Sequence, residues 1–323
     1  MSNSNQLEMM ERIALDLEGV ERALASSFNT GSEDFNTLIR PLSEAGGKRL
    51  RAQLCLLIAN AGTSVEEERI KIAEAVEMLH LATLIHDDVL DQAEIRRGEE
   101  TIHKHKGNKV AILSGDYLFA KAFRIVSEMP HMEYLKIFSH IITCLVEGEF
   151  MQMEDVYRID QGIDRFMTKT QKKTADFMEG CMELGGLLGG WSSDEIMYLK
   201  RYGHALGMAF QITDDIMDYR ETSDTTGKPV GNDLREGLLT YPLLSIVNES
   251  NQNQLLQDIK NLNHGGNEQE IIDYVIAQGG IDNTLRVAQQ YCDDALSALQ
   301  FIRDFDGKEF LVLAVQNLAD RKV

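Results

Sequence analysis

Residues 66–91 read EEERIKIAEAVEMLHLATLIHDDVLD, and their reading decides the fold. No glycine or proline interrupts the stretch, its apolar residues follow a helical period, and it closes on a DDxxD string. Working outward, Leu7, Met10, Ile13, Leu17, Val20 and Leu24 recur at steps of three and four over 7–25, again one apolar helix face. Comparable periods predict helices over about 48–61, 108–129, 132–153, 163–188, 194–220, 234–249, 268–278 and 283–303. Only Pro41, Pro130, Pro229 and Pro242 can break them, and Gly62, Gly98, Gly107 and Gly231 mark segment ends. No period-two alternation is sustained, so the chain is predicted to be all-α. No linker divides it, so residues 1–323 are expected to form a single domain.

Composition narrows the function. The 323 residues carry 32 Lys plus Arg and 52 Asp plus Glu, a formal charge of −20, which disfavours a nucleic-acid partner or a surface held on anionic lipid. Cys55, Cys144, Cys181 and Cys292 are far apart and form no CxxC spacing, so they read as buried thiols. The N-terminal stretch has no signal-peptide pattern, and no apolar run reaches the roughly 20 residues that span a bilayer. A cytoplasmic location and no stable membrane span are expected.

The chemistry is concentrated in two DDxxD strings, Asp87, Asp88 and Asp91, then Asp214, Asp215 and Asp218, each near the end of a predicted helix. Positions i and i+4 share a helix face, so Asp87 with Asp91 and Asp214 with Asp218 form carboxylate pairs that repel unless a cation offsets them. Hard oxygen donors with open positions suit Mg²⁺, which commonly bridges to phosphate oxygens. A single acidic helix end could be only a solvated face; two copies on separate long helices point to metal.

Cations lie near in sequence. GGKRLR at 46–51 opens a helix with two glycines, and Lys48, Arg49 and Arg51 gather positive charge suited to a phosphate. Arg96 and Arg97 follow Asp91 by about a turn, Lys173-Thr174 and Gly227-Lys228-Pro229 add cations, and Gln211 precedes Asp214 by three residues. His80 lies seven residues before Asp87 on the same face; His86 is read as structural. Two metal walls and two cationic pockets suit two diphosphates bound together.

In GGKRLR, MLHLATLIHDDVLDQAEIRRG, the KTA at 173–175, GMAFQITDDIMD and GKPVGNDL, the chain resembles the trans-isoprenyl diphosphate synthase (polyprenyl synthetase) family over nearly its whole length. The resemblance is greatest to the catalytic subunit of heptaprenyl and other medium-chain synthases. It implies an all-α helical bundle of the isoprenoid synthase type around a deep central cavity, usually in a homodimer, or in a heterodimer with a small non-catalytic subunit. It implies head-to-tail 1'-4 condensation of isopentenyl diphosphate with an allylic diphosphate, for quinone side chains, with three Mg²⁺ ions when substrate is bound. The metal would be held by the aspartates, foremost Asp87, Asp91 and Asp214. Lys48, Arg51, His80 and Arg97 would contact isopentenyl diphosphate; Arg96, Lys173 and Lys228 would hold the allylic diphosphate; Thr174 and Gln211 would face the allylic cation.

Relatives with short products carry an aromatic floor four or five residues before the first aspartate; Thr83 and Ala82 stand there instead. A helix of roughly 37 Å over 66–90 could line a channel for about six to ten isoprene units. Val76, Met78 and Leu79 are candidate walls, and Phe119 or Phe123 a candidate floor. The sequence departs from the family at Ala52 and Glu100, where prolines are usual, and at Leu238, where many short-chain relatives have lysine. The competing readings are a shorter-chain farnesyl or geranylgeranyl diphosphate synthase, an HD-type phosphohydrolase using His80, His86 and Asp87, a non-catalytic helical subunit, and a terpene cyclase or head-to-head condensing enzyme. The phosphohydrolase leaves the second DDxxD and GGKRLR unexplained.

Overall fold

The computed structural model describes residues 3–28, 33–44, 49–96, 98–220 and 231–319. They bear out the all-α expectation. In chain order the helices are α1 (Asn3–Ser27), α2 (Glu33–Glu44), α3 (Leu50–Asn60), α4 (Glu66–Leu90), α5 (Ile102–Lys106), α6 (Asn108–Ser127), α7 (Met132–Glu154) and α8 (Ile163–Thr170). A π-helical turn (Gln171–Ala175) leads into α9 (Asp176–Leu188) and α10 (Ser193–Arg220). Then come α11 (Asn232–Glu236), α12 (Tyr241–Leu244), α13 (Gln252–Asn261), α14 (Glu268–Ala277), α15 (Gly280–Leu299) and α16 (Lys308–Ala319). Among the described residues the only sheet is an antiparallel pair of two-residue strands, β1 (Ile95–Arg96) and β2 (Glu99–Glu100).

The chain divides into two compact units, each assembled from separate stretches. The first comprises 1–139, 181–197 and 304–307. Here α4 packs against α1, α3 and α6. Residues 54–60 of α3 are buried without a break, so the helix is enclosed on every side. Such a helix must bring its few polar groups with partners. Asn60 and Arg69 both donate to the buried Asp16 carboxylate, Arg69 in bidentate fashion at 2.6 and 3.1 Å and Asn60 at 2.7 Å.

The second unit comprises 140–180, 198–303 and 308–323. Its core joins Ile159, Phe166, Ile216, Leu234, Leu243, Ile259 and Ile272. Two glycines make room for the π turn. A Cβ on Gly207 would lie 2.6 Å from the Ala175 Cα, and one on Gly148 would lie 2.7 Å from the Lys173 Cγ.

Several expected helix boundaries change. The helix predicted over 234–249 is two short helices, because Gly237 adopts φ 75° beneath the Tyr157 ring and Pro242 starts α12. A side chain at 237 would have to overlap that ring, so the turn admits glycine alone. Helices α2, α5, α13 and α16 were not predicted. Pro41 lies inside α2, and α13 buries only Leu255 and Ile259 along a polar sequence, too thin a stripe to stand out. Finally, the continuous helix expected over 163–188 is interrupted by the π turn.

Candidate functional site

In the first unit, α4 ends within the DDVLD string. Asp91 caps the helix by donating its N–H to the Asp87 carbonyl at 2.8 Å, and the Ala93 N–H reaches back to the Asp88 carbonyl at 3.0 Å around Gln92 at φ 51°. This six-to-one closure satisfies the last carbonyls and reverses the chain. It separates the three carboxylates by environment: Asp88 is buried, Asp87 half-buried and Asp91 exposed. Asp88 accepts from the Arg96 Nε at 2.5 Å, which docks the small β hairpin on the helix end. The hairpin base is tied further by Thr101 and His103, whose side chains both meet the Ala93 carbonyl at 2.7 Å.

On the Asp87 face, Arg51 Nη1 lies 3.3 Å from His80 Nε2, a hydrogen bond when that nitrogen is the unprotonated one. Burial pushes the Arg51 guanidinium below its ordinary value, an effect opposed by Cys181 and Glu77. Arg49, counted above among the phosphate cations, faces elsewhere: it bonds Glu21 at 2.8 Å and Glu77 at 3.1 Å, with its backbone left-handed at φ 44°. Its charge is thereby used inside the fold. The Ala52 N–H donates to the same Glu77 at 3.3 Å, a bond that a proline could not make. His86 is structural as expected; its Nε2 meets the Ile112 carbonyl at 3.0 Å and its ring packs against Phe119. A Cβ on Gly115 would collide with that ring. Lys48 and Arg97 lie outside the described residues.

In the second unit the DDIMD string again buries its second aspartate, but the outer two exchange environments. Asp214 is exposed, Asp215 is buried, and Asp218 is half-buried. Gln211 donates to Asp215 Oδ1 at 3.0 Å while its carbonyl oxygen accepts from the Thr174 hydroxyl, also at 3.0 Å. Burial pushes the Asp215 carboxyl well above the usual range, and the Asp233 and Asp214 charges add to this. Asp218 accepts the Asn232 and Asp233 backbone N–H groups at 3.0 and 3.2 Å, so it nucleates the first turn of α11. Burial still pushes its carboxyl up to about 6. Lys228 lies outside the described residues.

Lys173 sits on the π turn, with Nζ 2.5 Å from Glu149 Oε2 and 2.9 Å from Gln152 Oε1. Sequence reasoning missed Glu149 and Gln152. The available signal was Gly148 inside an otherwise helical run, which marks a close approach.

Asp87 and Asp91 at the end of α4, and separately Asp214 within α10, offer accessible, oxygen-only donors. That chemistry fits a hard divalent cation and gives no foothold for one requiring sulfur or nitrogen. Among the described residues, no helix is long and apolar enough to cross a membrane.

Comparison with known proteins gives a consistent result. Residues 32–278 match the model of the polyprenyl synthetase family. The chain is 32% identical over 312 residues to octaprenyl diphosphate synthase of Escherichia coli, covering 95% of this chain and 96% of that one. It is 32% identical over 284 residues to heptaprenyl diphosphate synthase component 2 of Geobacillus stearothermophilus, covering 88% and 89%. The crystal structure of heptaprenyl diphosphate synthase from Staphylococcus aureus matches with a TM-score of 0.88 at 28% identity, over 96% of this chain and 99% of that one.

Proposed function

The chain belongs to the polyprenyl synthetase family, and we propose that it is an all-trans polyprenyl diphosphate synthase acting as a single domain over residues 1–323. It joins isopentenyl diphosphate head to tail onto an allylic diphosphate and makes a medium-to-long product for quinone side chains. The observation that carries this reading is the repeated sorting within the two DDxxD strings. Each keeps one exposed carboxylate, Asp91 at the end of α4 and Asp214 within the last two turns of α10, and buries the second aspartate against a fixed polar partner, Asp88 on Arg96 and Asp215 on Gln211.

In this reading Asp87, Asp91 and Asp214 hold Mg²⁺, with Asp88, Asp215 and Asp218 fixing the helix ends around them. Mg²⁺ held there would supply charge neutralisation to the diphosphate leaving group. Arg96 and Lys173, with Lys228, orient the allylic diphosphate; Lys173 exchanges Glu149 and Gln152 for phosphate oxygens. Lys48, Arg51, His80 and Arg97 hold isopentenyl diphosphate without metal. The Thr174 hydroxyl donates to Gln211, so its oxygen lone pairs are left to face the developing allylic carbocation. The C4 alkene carbon of isopentenyl diphosphate bonds to C1 of that cation, and a proton from C2 passes to the released diphosphate.

Length control rests on α4. Thr83 lies one turn before Asp87, is half-buried and small, and bonds only the His80 carbonyl among the contacts described. Neither Thr83 nor Ala82 is aromatic, which favours products of about six to ten units along a helix rising about 1.5 Å per residue.

The reading includes a cytoplasmic location and a pair of chains, either identical or with a small non-catalytic subunit. Val146, Phe150 and Met153 form an exposed apolar stripe on α7, at 49%, 62% and 57% accessibility, which suits such a partner. The deciding experiment supplies purified protein with Mg²⁺, farnesyl diphosphate and labelled isopentenyl diphosphate. Longer all-trans diphosphates are expected; no extension, alone or with a small subunit, overturns the reading.

A further inference from the structure

The second unit holds a donor set of different character from the aspartate strings. His140 and Cys144 are one turn apart on α7, and Asp176 is the first residue of α9. One ligand atom from each lies within 4.8 Å of the others. The Cys144 Sγ is 3.7 Å from His140 Nε2 and 3.8 Å from Nδ1. A tetrahedral zinc ion, with bonds of about 2.0 Å to nitrogen and about 2.3 Å to sulfur, sets its ligands about 3.6 Å apart. The side chains therefore already stand near the required spacing.

We infer that His140, Cys144 and Asp176 form a site for a borderline-soft divalent metal such as Zn²⁺, separate from the oxygen-only aspartate strings. Three protein ligands leave the fourth position to water. Thiolate and imidazole select against Mg²⁺, so the metal that serves the diphosphates does not compete for this site. Cys144 and Asp176 are buried at 4% and 7% accessibility, whereas His140 is exposed and provides the entry.

Charges around the set are balanced. Lys172, whose charge acts on Cys144, is paired with Glu147 at 2.5 Å, and Gln171 donates to Asp176 Oδ1 at 3.2 Å. A second donor group, Asp176 with Glu179 and His204, lacks sulfur, and Lys200 stands 3.4 Å from Glu179 to oppose a cation there. Burial and the neighbouring Asp176 and Glu147 push the Cys144 thiol up to about 12, with Lys172 opposing. Metal entry therefore releases the thiol proton to solvent as the Cys144 sulfur–metal bond forms. Asp176 directly follows the π turn that carries Lys173 and Thr174, so an ion bound here fixes one end of that turn.

The test is titration of the full-length protein with Co²⁺ alone, followed by Zn²⁺. About one equivalent of Co²⁺ should produce thiolate-to-cobalt charge-transfer absorption and the strong visible bands of a tetrahedral ion, displaced by Zn²⁺ and unaffected by excess Mg²⁺. Cys144→Ser should abolish the charge-transfer band and Cys292→Ser should retain it. His140→Gln, a surface change that spares folding, should weaken Co²⁺ affinity about tenfold or more. Hydrogen exchange over residues 171–175 should slow when Zn²⁺ binds. Absence of the band in the parent protein, its survival in Cys144→Ser, or unchanged affinity in His140→Gln overturns the inference.

Discussion

The Thr174 hydroxyl donates to the Gln211 carbonyl oxygen at 3.0 Å, although 37 residues separate them in the chain. The same amide donates to Asp215, so one side chain ties the π turn to the second aspartate string. Thr174→Val and Gln211→Leu should each lower kcat by about 10- to 100-fold, with smaller effects on KM, if they act on developing charge. The double variant should fall short of the product of the two effects, since both break one network. Steady-state kinetics with farnesyl diphosphate checks this.

The sorting of the first DDxxD string predicts unequal effects of isosteric changes. Asp87→Asn and Asp91→Asn should cut kcat/KM by about 10²- to 10³-fold and raise the Mg²⁺ concentration needed for half-maximal rate. Asp88→Asn should leave the Mg²⁺ requirement nearly intact and raise KM for the allylic substrate, because it loosens Arg96. Mg²⁺ titrations of the three variants separate the cases.

Chain length should respond at Thr83 more cleanly than at Ala82. Ala82 is fully buried, so phenylalanine there must displace packed neighbours. Thr83 is half-buried on the Asp87 face. Thr83→Phe should shift the products toward fifteen or twenty carbons, about one turn of helix being closed. Chromatography of the reaction products is the check, and an unchanged distribution would place the path elsewhere.

Glu74 supplies a pH test of stability. Burial pushes its carboxyl above 4.5, while the Ser27 hydroxyl, bonded at 2.7 Å, and Lys121 and Lys71 oppose this. A raised folded-state value means that the contribution to stability is present below the unfolded value and is lost as pH rises through the folded one. Glu74→Gln should therefore melt at a higher temperature than the parent at pH 8, and the difference should shrink toward pH 4. Melting curves at the two pH values read this directly.

The buried Asp16–Arg69 pair predicts a large structural effect away from the site. Arg69→Met leaves the Asp16 carboxylate, 3% exposed, with Asn60 as its remaining side-chain partner. Removal of one member of a buried pair costs about 3–5 kcal/mol. Urea denaturation should show the loss with little change in slope.

Helix content, the two aspartate strings and the cationic motifs were legible because each is local. A period of three to four residues and an i to i+4 spacing need no knowledge of distant chain. The same reasoning grouped Arg49 with Arg51, since both belong to GGKRLR. Their fates differ because a left-handed residue at 49 turns its side chain toward Glu21 and Glu77, which come from α1 and α4. Glu149 and Gln152 escaped notice for a related reason: their importance lies in reaching Lys173, on another helix.

The sequence by itself determined that this is a helical member of the polyprenyl synthetase family and which residue types carry its chemistry. Tertiary structure decided which member of each DDxxD is buried, how Gln211 links Thr174 to Asp215, and where 163–188 departs from an α-helix. Those outcomes depend on close approaches such as Gly207 against Ala175. Periodicity predicts the face that a residue shares, whereas burial and hydrogen bonding depend on which other helix is brought against that face.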